Sequence, residues 1–419
     1  MNIVIANRRF FPYSGPERYM FSIINTLQQD GCTVIPFSVK RTQNIPTEYS
    51  RYFVNPPYGE NIVHYRDANP SLRQKMRVFA NCIYSLEAKK NMLRLLSENK
   101  VDLVYILQID NDISPSIIHA CRKHSVPVVM RLSAFSLICG SYYCMRDKEF
   151  CTLCVTKNPL QCTKYKCIRK DFLPSFARSI SMVVHNFLRI YDYVDAFICP
   201  SDFLRRTFIQ AGFPEKKFYQ VNSFVNPDDY QPNYTHSGYA LYFGRISWEK
   251  GIDYLVRAQK MLGEGTYPLY IVGEADDPAY LENIKTIVET ESIPNITFLG
   301  YKSGNELKEI VRNSRFIVAP SVYHDNSPMT VTESLAFGKP VVGSDLGGIA
   351  DQIAEGCGFK VPSKDAKSLS EKMKVLWEND ALVAEYGRNA RNHFEKHYSP
   401  QQHYSQLKHI FMKCVQKHQ

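Results

Sequence analysis

The chain has 419 residues, 44% of them apolar, and a formal charge of +10. It is too long for one ordinary core and too apolar for a disordered chain, so two domains are expected. No apolar run approaches the roughly 18–20 residues that cross a bilayer, and no nucleic-acid motif accompanies the positive charge.

The run Ile3-Val4-Ile5-Ala6 opens as a strand and not as a signal peptide, because no basic segment precedes it; the expected location is the cytoplasm. Pro12, Ser14, Gly15 and Pro16 punctuate a loop, and from Tyr19 to Leu27 the apolar residues follow helical spacing. A strand at Thr33–Val39 follows, then a helix over Leu72–Ser97, a strand at Asp102–Leu107, a helix at Pro115–His124 and a strand at Val126–Leu132. Such alternation predicts an α/β fold with a doubly wound parallel sheet, whose ligands bind at the carboxyl ends of the strands.

Six of the 12 cysteines then crowd into one segment: Cys139, Cys144, Cys151, Cys154, Cys162 and Cys167. Cys151 and Cys154 form a C-x2-C knuckle, and Cys162 with Cys167 completes four thiolates. In a cytoplasmic chain this favours structural zinc over disulfides, which four ligands being left open. An iron–sulfur cluster and free packed thiols are the alternatives. The segment has little apolar periodicity, and it follows a strand end, so it is expected to shape acceptor recognition without doing chemistry.

A helix over Pro174–Tyr193, a strand at Ala196–Cys199 and a helix at Asp202–Ala211, N-capped by Ser201, end the first half. Residues 227–238, rich in Pro, Asn, Asp and Gly, read as a linker. A second alternating series has strands at Ala240–Gly244, Leu269–Gly273, Ile296–Leu299, Phe316–Ala319 and Pro340–Gly343, and Pro400–Val415 reads as a last helix. The expected domains are 1–226, with an insertion at 136–172, and 227–399; the segment 400–419 is expected to pack back on the first. Two such domains facing each other make a cleft, the default binding site. Charge divides with the domains: residues 1–200 hold about 26 Lys and Arg against about 15 Asp and Glu, which suggests an anionic partner such as a membrane surface.

Two stretches carry chemistry. In Gly244-Arg245-Ile246-Ser247-Trp248-Glu249-Lys250-Gly251 two cations flank a turn between a strand end and a helix start, an anion site suited to a diphosphate. In the second, Asp325 lies in a loop, Asn326, Ser327 and Pro328 lead into a helix with Thr330 in its first turn, and Glu333 follows eight positions after Asp325. Loop amides at the helix start and the two carboxylates can hold sugar, phosphate or ribose oxygens. No Asp-x-Asp pair stands where a cation would bridge phosphates: Asp110-Asn111-Asp112 is in the first domain, and Asp276-Asp277 reads as a surface turn.

Together these motifs resemble the large family 4 of retaining glycosyltransferases, whose members have the GT-B fold of two Rossmann-like domains around a cleft. The family's acidic-x7-Glu signature and its Gly-x-Pro-Val segment match Asp325, Glu333 and Gly338-Lys339-Pro340-Val341; its Gly-Arg…Lys-Gly motif matches Gly244, Arg245, Lys250 and Gly251. Ile271-Val272-Gly273-Glu274 and Ile296–Tyr301 resemble two further strands, and Gly347-Gly348 a glycine loop. The resemblance implies a donor domain at 227–399 and an acceptor-side domain at 1–226. It implies that Arg245 and Lys250 bind the diphosphate, Glu333 the ribose, and Asp325 with Asn326, Ser327 and Pro328 the transferred sugar. Gly15, Gly244, Gly273, Tyr301 and Thr330 would line the donor, with Tyr301 beside the nucleobase. The donor would be a UDP- or GDP-sugar, the acceptor a glycan or lipid-linked hydroxyl in surface polysaccharide synthesis, with no catalytic cofactor and peripheral membrane contact. Three positions depart from the pattern. Ser14 replaces a glycine, Asp325 replaces the commoner Glu, and Ser133, after Arg131 on the acceptor side, stands where many members have His. A GT-B epimerase or phosphorylase and an inactive sugar-binding scaffold remain rival readings.

Overall fold

A computed structural model describes residues 1–62, 70–109, 112–263, 265 and 267–418. Asp110 and Asn111 lie outside the described residues.

The first domain is built on β1 (Asn2–Asn7), β2 (Thr33–Phe37), β3 (Leu103–Gln108) and β4 (Val128–Arg131). After β4 the chain makes a small antiparallel hairpin, β5 (Met145–Arg146) and β6 (Glu149–Phe150), and then returns to the sheet as β7 (Ala196–Cys199) and β8 (Phe218–Gln220). The sheet is parallel, in the order β2-β1-β3-β4-β7-β8. Its strands are continuous apolar runs because helices cover both faces; Val4, Ile106 and Phe197 pack on one side, Ile3, Tyr105 and Ile198 on the other.

The second domain repeats the plan with β9 (Ala240–Phe243), β10 (Leu269–Val272), β11 (Ile296–Gly300), β12 (Phe316–Ala319), β13 (Val341–Ser344) and β14 (Gly358–Val361). Their order is β11-β10-β9-β12-β13-β14, again parallel. β8 and β14 escape the sequence pattern because they are short, mixed in polarity and at sheet edges, where one neighbour suffices.

The helix expected over Leu72–Ser97 is two helices, Leu72–Tyr84 and Leu86–Glu98. Neither Gly nor Pro marks the break. Ser85 makes it through tertiary bonds: its amide donates to Ser114 Oγ (2.9 Å), its carbonyl accepts from Ser116 Oγ (2.7 Å), and its own hydroxyl caps the second helix at Ala88 N (3.2 Å). Ser201 caps Asp202–Gln210 through Leu204 N, as its position implies.

The terminal helix Pro400–His418 crosses back to the first domain. Leu407, Ile410, Phe411 and Cys414 join the core around Ile3 and Tyr105, each large side chain contributing roughly 1.5–3 kcal/mol of burial. His403 shares hydrogen bonds with Tyr19 (2.9 Å) and the Asn222 carbonyl (2.6 Å). The segment 227–238 is docked on the second domain: Asn233 N donates to Phe337 O (3.0 Å), and buried Lys339 donates to Thr235 O (2.9 Å).

Candidate active site

The carboxyl ends of β4, β9 and β12 face one interdomain hollow of about 330 Å³, lined by Ser133, Ala134, Tyr142 and Tyr143 from the first domain and Arg245, Tyr323 and the loop Asp325–Pro328 from the second. A larger hollow of about 480 Å³ lies on the second domain between the 227–231 segment and the helix Gly304–Arg312, away from Asp325. The first holds Arg245 and the Asp325 loop, where the predicted chemistry lies.

Backbone packing sets the geometry. Glu249 O accepts from Val322 N and Ser321 Oγ (2.9 Å each), which ties the turn after β9 to the loop after β12. That tie brings Lys250 Nζ to 2.7 Å from Asp325 Oδ1, with both side chains mostly buried. The Asp325 loop rests on the glycine pair: Gly348 N donates to Asp325 O at 2.6 Å, and a Cβ on Gly348 would collide with the Asn326 carbonyl oxygen. Gly273 likewise lies so close to Gly244 O that only glycine fits. Thr330, opening the helix Met329–Ala336, faces Gly244.

Arg245 lines the hollow with its side chain half exposed. It pairs with Asp276 and, at 3.4 Å, with Glu249. Burial pulls its pKa down, but the two carboxylates outweigh burial and leave it raised. The pair Asp276-Asp277 is therefore more than a surface turn: Asp276 holds Arg245, and Asp277 caps the helix Pro278–Thr290 at Ala279 N (3.0 Å). Asn326 bridges the lobes, accepting from Ser201 Oγ (3.0 Å). Ser327 Oγ is buried without a hydrogen-bond partner among the described residues, a donor open to a ligand.

Glu333 is set apart from this hollow. Its carboxylate accepts from Tyr230 OH at 3.2 Å, and burial raises its pKa to about 7 against the pull of Tyr230, Arg18 and Lys308. Arg18, exposed in the helix Gly15–Gln29, acts on Glu333 from the first domain, so that helix start faces the second domain. Space is open in front of Gly15, and Ser14 caps this helix reciprocally with Glu17. Tyr301 is 67% exposed beyond β11, free to take a planar ligand.

Ser133 lines the hollow, whereas Arg131 turns inward. Arg131 is 8% exposed, donates to Ser133 Oγ and Ser223 Oγ (2.9 Å each) and lies 4.1 Å over the Tyr19 ring. Expected on the acceptor side, it is thus turned into the first domain, where it holds Ser133.

The cysteine segment closes the hollow from above. Tyr143 meets Tyr323 edge-on (5.5 Å), Phe150 of β6 packs on His324 (4.4 Å), and Lys364 reaches Glu149 (2.6 Å). His324 also stacks on Phe203 (5.0 Å), and burial lowers its pKa to about 4, so it is a neutral wedge between the lobes. The thiols gather in contacting pairs, Cys139 with Cys144 and Cys162 with Cys167. The hydrogen bond from Cys144 pulls Cys139 down to about 5. All are free thiols, and among the described residues no group of three or more His, Cys, Asp or Glu is placed to hold a metal ion. The zinc expected on Cys139, Cys151, Cys154, Cys162 and Cys167 thus finds no support in this placement, although Cys154 lies within electrostatic reach of Cys139, Cys151 and Cys167.

The sequence reading missed Tyr142, Tyr143, Tyr230 and Arg18. Only Tyr142-Tyr143 carried a signal, an aromatic pair beside Cys144 in an otherwise polar insertion.

Residues 230–393 match the family model described as glycosyl transferases group 1. Over these residues the chain is similar to that family. An uncharacterized glycosyltransferase of Methanocaldococcus jannaschii is 32% identical over 149 residues, 35% of this chain and 36% of that protein. The N,N'-diacetylbacillosaminyl-diphospho-undecaprenol alpha-1,3-N-acetylgalactosaminyltransferase of Campylobacter jejuni is 28% identical over 151 residues, 36% of this chain and 38% of that one. The chain thus spans less than half the length of these curated relatives. Likeness of fold runs through the whole chain. Anabaena Alr3699/HepE in complex with UDP superposes with a TM-score of 0.69 at 14% identity, covering 99% of this chain and 100% of that one. The lipopolysaccharide outer core galactosyltransferase WaaB gives 0.64 at 15% identity, covering 99% and 100%. The architecture is GT-B: two Rossmann-like domains, the group 1 domain second.

Proposed function

We propose that this protein transfers a sugar from a nucleoside diphosphate donor to a hydroxyl of a glycan or lipid-linked acceptor, with retention at the anomeric carbon, in surface polysaccharide synthesis. The observation that carries this reading is the meeting of Arg245 and the Lys250–Asp325 pair at an interdomain hollow. Without ligand both cations are neutralised by carboxylates of the protein. A diphosphate arriving at the cleft exchanges these carboxylates for phosphate oxygens, and fixed cations then stabilise the charge that grows on the leaving group. Released from Lys250, Asp325 accepts hydrogen bonds from hydroxyls of the transferred sugar, while Glu333 holds the ribose and Tyr301 the base. The bond between the anomeric carbon and the diphosphate oxygen breaks. A bond to the acceptor oxygen forms on the same face, and the acceptor's proton passes to the departing phosphate. No protein base is required, which accommodates Ser133 at a position where a hydroxyl cannot serve as one unaided.

Support for the acceptor class comes from relatives whose names specify undecaprenol-linked or O-antigen acceptors; a UDP-bound structural neighbour supports the donor class. The test is a panel of UDP- and GDP-sugars incubated with lipid-linked and free glycan acceptors, read by mass spectrometry of the product and by the anomeric configuration. A product with inverted configuration, or donor binding without any turnover, overturns the reading. Sugar phosphate formed only when inorganic phosphate is added identifies a phosphorylase instead.

A further inference from the structure

The helix Phe172–Phe187 is built inside out. Its buried face is polar but for Met182, carrying Ser175, Arg178, Ser179, Ser181 and His185. These groups are held by hydrogen bonds: Ser181 Oγ donates to Cys82 O (2.8 Å), His185 Nε2 to Ile83 O (2.7 Å), and Ser179 Oγ accepts from Thr163 Oγ1 (2.7 Å). Its outward face carries Phe172, Leu173, Phe176, Val183 and Phe187, with Leu173 71% and Phe187 85% exposed. The spacing puts them on one stripe, and a helix on a water-facing surface has the opposite arrangement.

The neighbouring helix Leu72–Tyr84 extends the stripe with Leu72, Met76 and Phe79, all exposed, and Phe79 stacks on Phe176 at 6.4 Å. Exposed apolar surface that continues over two helices marks an interaction site. Its rim is basic: Arg73 and Lys75 lie on the first helix, and Lys164, Lys166, Arg169 and Lys170 lie exposed where the chain enters the second. Two copies joined through this face would press like-charged rims together, which disfavours a self-interface.

We propose that this two-helix face docks on a bilayer surface bearing anionic headgroups. The apolar stripe enters the headgroup–acyl boundary, and the lysines and arginines meet lipid phosphates. Attachment is peripheral, since among the described residues no helix is long and apolar enough to cross a membrane. The cysteine segment links this face to the hollow: its helix Gln161–Lys164 packs on Phe172–Phe187, and its Tyr142 and Tyr143 line the hollow. A lipid-linked acceptor held in the bilayer would therefore be presented beside the site.

The test is flotation of the full chain with vesicles of phosphatidylcholine alone and of phosphatidylcholine with phosphatidylglycerol. No sugar nucleotide is present, so failure here leaves the proposed reaction untouched. Wild type is expected to float with the anionic vesicles and far less with the neutral ones, the bound fraction falling as salt rises. L173S/F187S is expected to reduce anionic-vesicle affinity by roughly tenfold or more, with an unchanged melting temperature because both side chains point outward. K166Q/K170Q is expected to lower affinity and flatten the salt dependence. The proposal is overturned if wild type stays with the soluble fraction, or if both variants bind as wild type does. It is equally overturned if wild type sediments as a dimer that L173S/F187S dissociates, which makes the face a subunit interface.

Discussion

If Glu333 holds the ribose as proposed, it couples donor binding to stability, and Glu333→Gln separates the two. In the free protein its carboxyl titrates at about 7 because burial disfavours the charged form, against an ordinary value of 4.5. The folded value is raised, so the stability this group contributes is fully present below pH 4.5 and is lost as pH climbs through 7. At about 1.4 kcal/mol per unit, the loss is on the order of 3 kcal/mol. Gln keeps the shape and an oxygen to accept from Tyr230 OH, but it does not titrate. Thermal melts of wild type and E333Q from pH 4 to 9 should therefore run in parallel at the acid end and diverge between pH 4.5 and 7, E333Q gaining several degrees by pH 8. On the proposed ribose contact the same substitution removes an anionic acceptor, so nucleotide affinity at pH 8 should fall by roughly tenfold to a hundredfold, the worth of a charge-assisted bond. A melting difference that does not change with pH refutes the burial argument. Nucleotide affinity equal to wild type at pH 8 refutes the ribose assignment.

Lys250→Ala and Arg245→Ala should each lower kcat/KM by roughly a hundredfold to a thousandfold while far-UV circular dichroism stays native; wild-type turnover in both variants would remove the diphosphate from this turn. Gly348→Ala places a methyl against the Asn326 carbonyl, so it should displace the Asp325 loop, with the melting temperature reduced and nucleotide binding lost by calorimetry. Tyr143→Ala opens one wall of the hollow and should raise KM for the acceptor with little change in melting temperature, Tyr143→Phe restoring it; an unchanged acceptor KM would show that the insertion does not touch substrate.

Much of the site was legible because its residues are close in sequence. Arg245 and Lys250 share one turn, Asp325 to Glu333 share one loop and helix, and strand ends place both stretches at the same edge of a parallel sheet. Local spacing also marked Ser201 as a cap. It gave the wrong weight to Asp276, which looks like any polar turn until β10 lies beside β9 and brings it to Arg245. The sequence places Arg131 on the acceptor side, yet stacking on Tyr19 and bonding to Ser223 turn it inward. The C-x2-C spacing suggested a metal knuckle, but ligand geometry depends on where six sulfurs end up in space, and the fold brings Cys139 to Cys144 and Cys162 to Cys167. The helix Phe172–Phe187 shows the same limit: the sequence displays its apolar stripe, but only the hydrogen bonds of Ser181 and His185 to the helix Leu72–Tyr84 reveal that the polar face is the inner one.

By itself, the sequence determined the two alternating αβ series, the turn that carries the cations and the acidic loop, because helix and strand periodicity and strand-end placement are local properties of the chain. The tertiary structure decided the Lys250–Asp325 pair, the Tyr230 cap on Glu333 and the closure of the cleft by Tyr143, Phe150 and His324. Those contacts join residues about 75 to 180 positions apart, and side-chain pairing at such range depends on how whole layers pack, which no local pattern encodes.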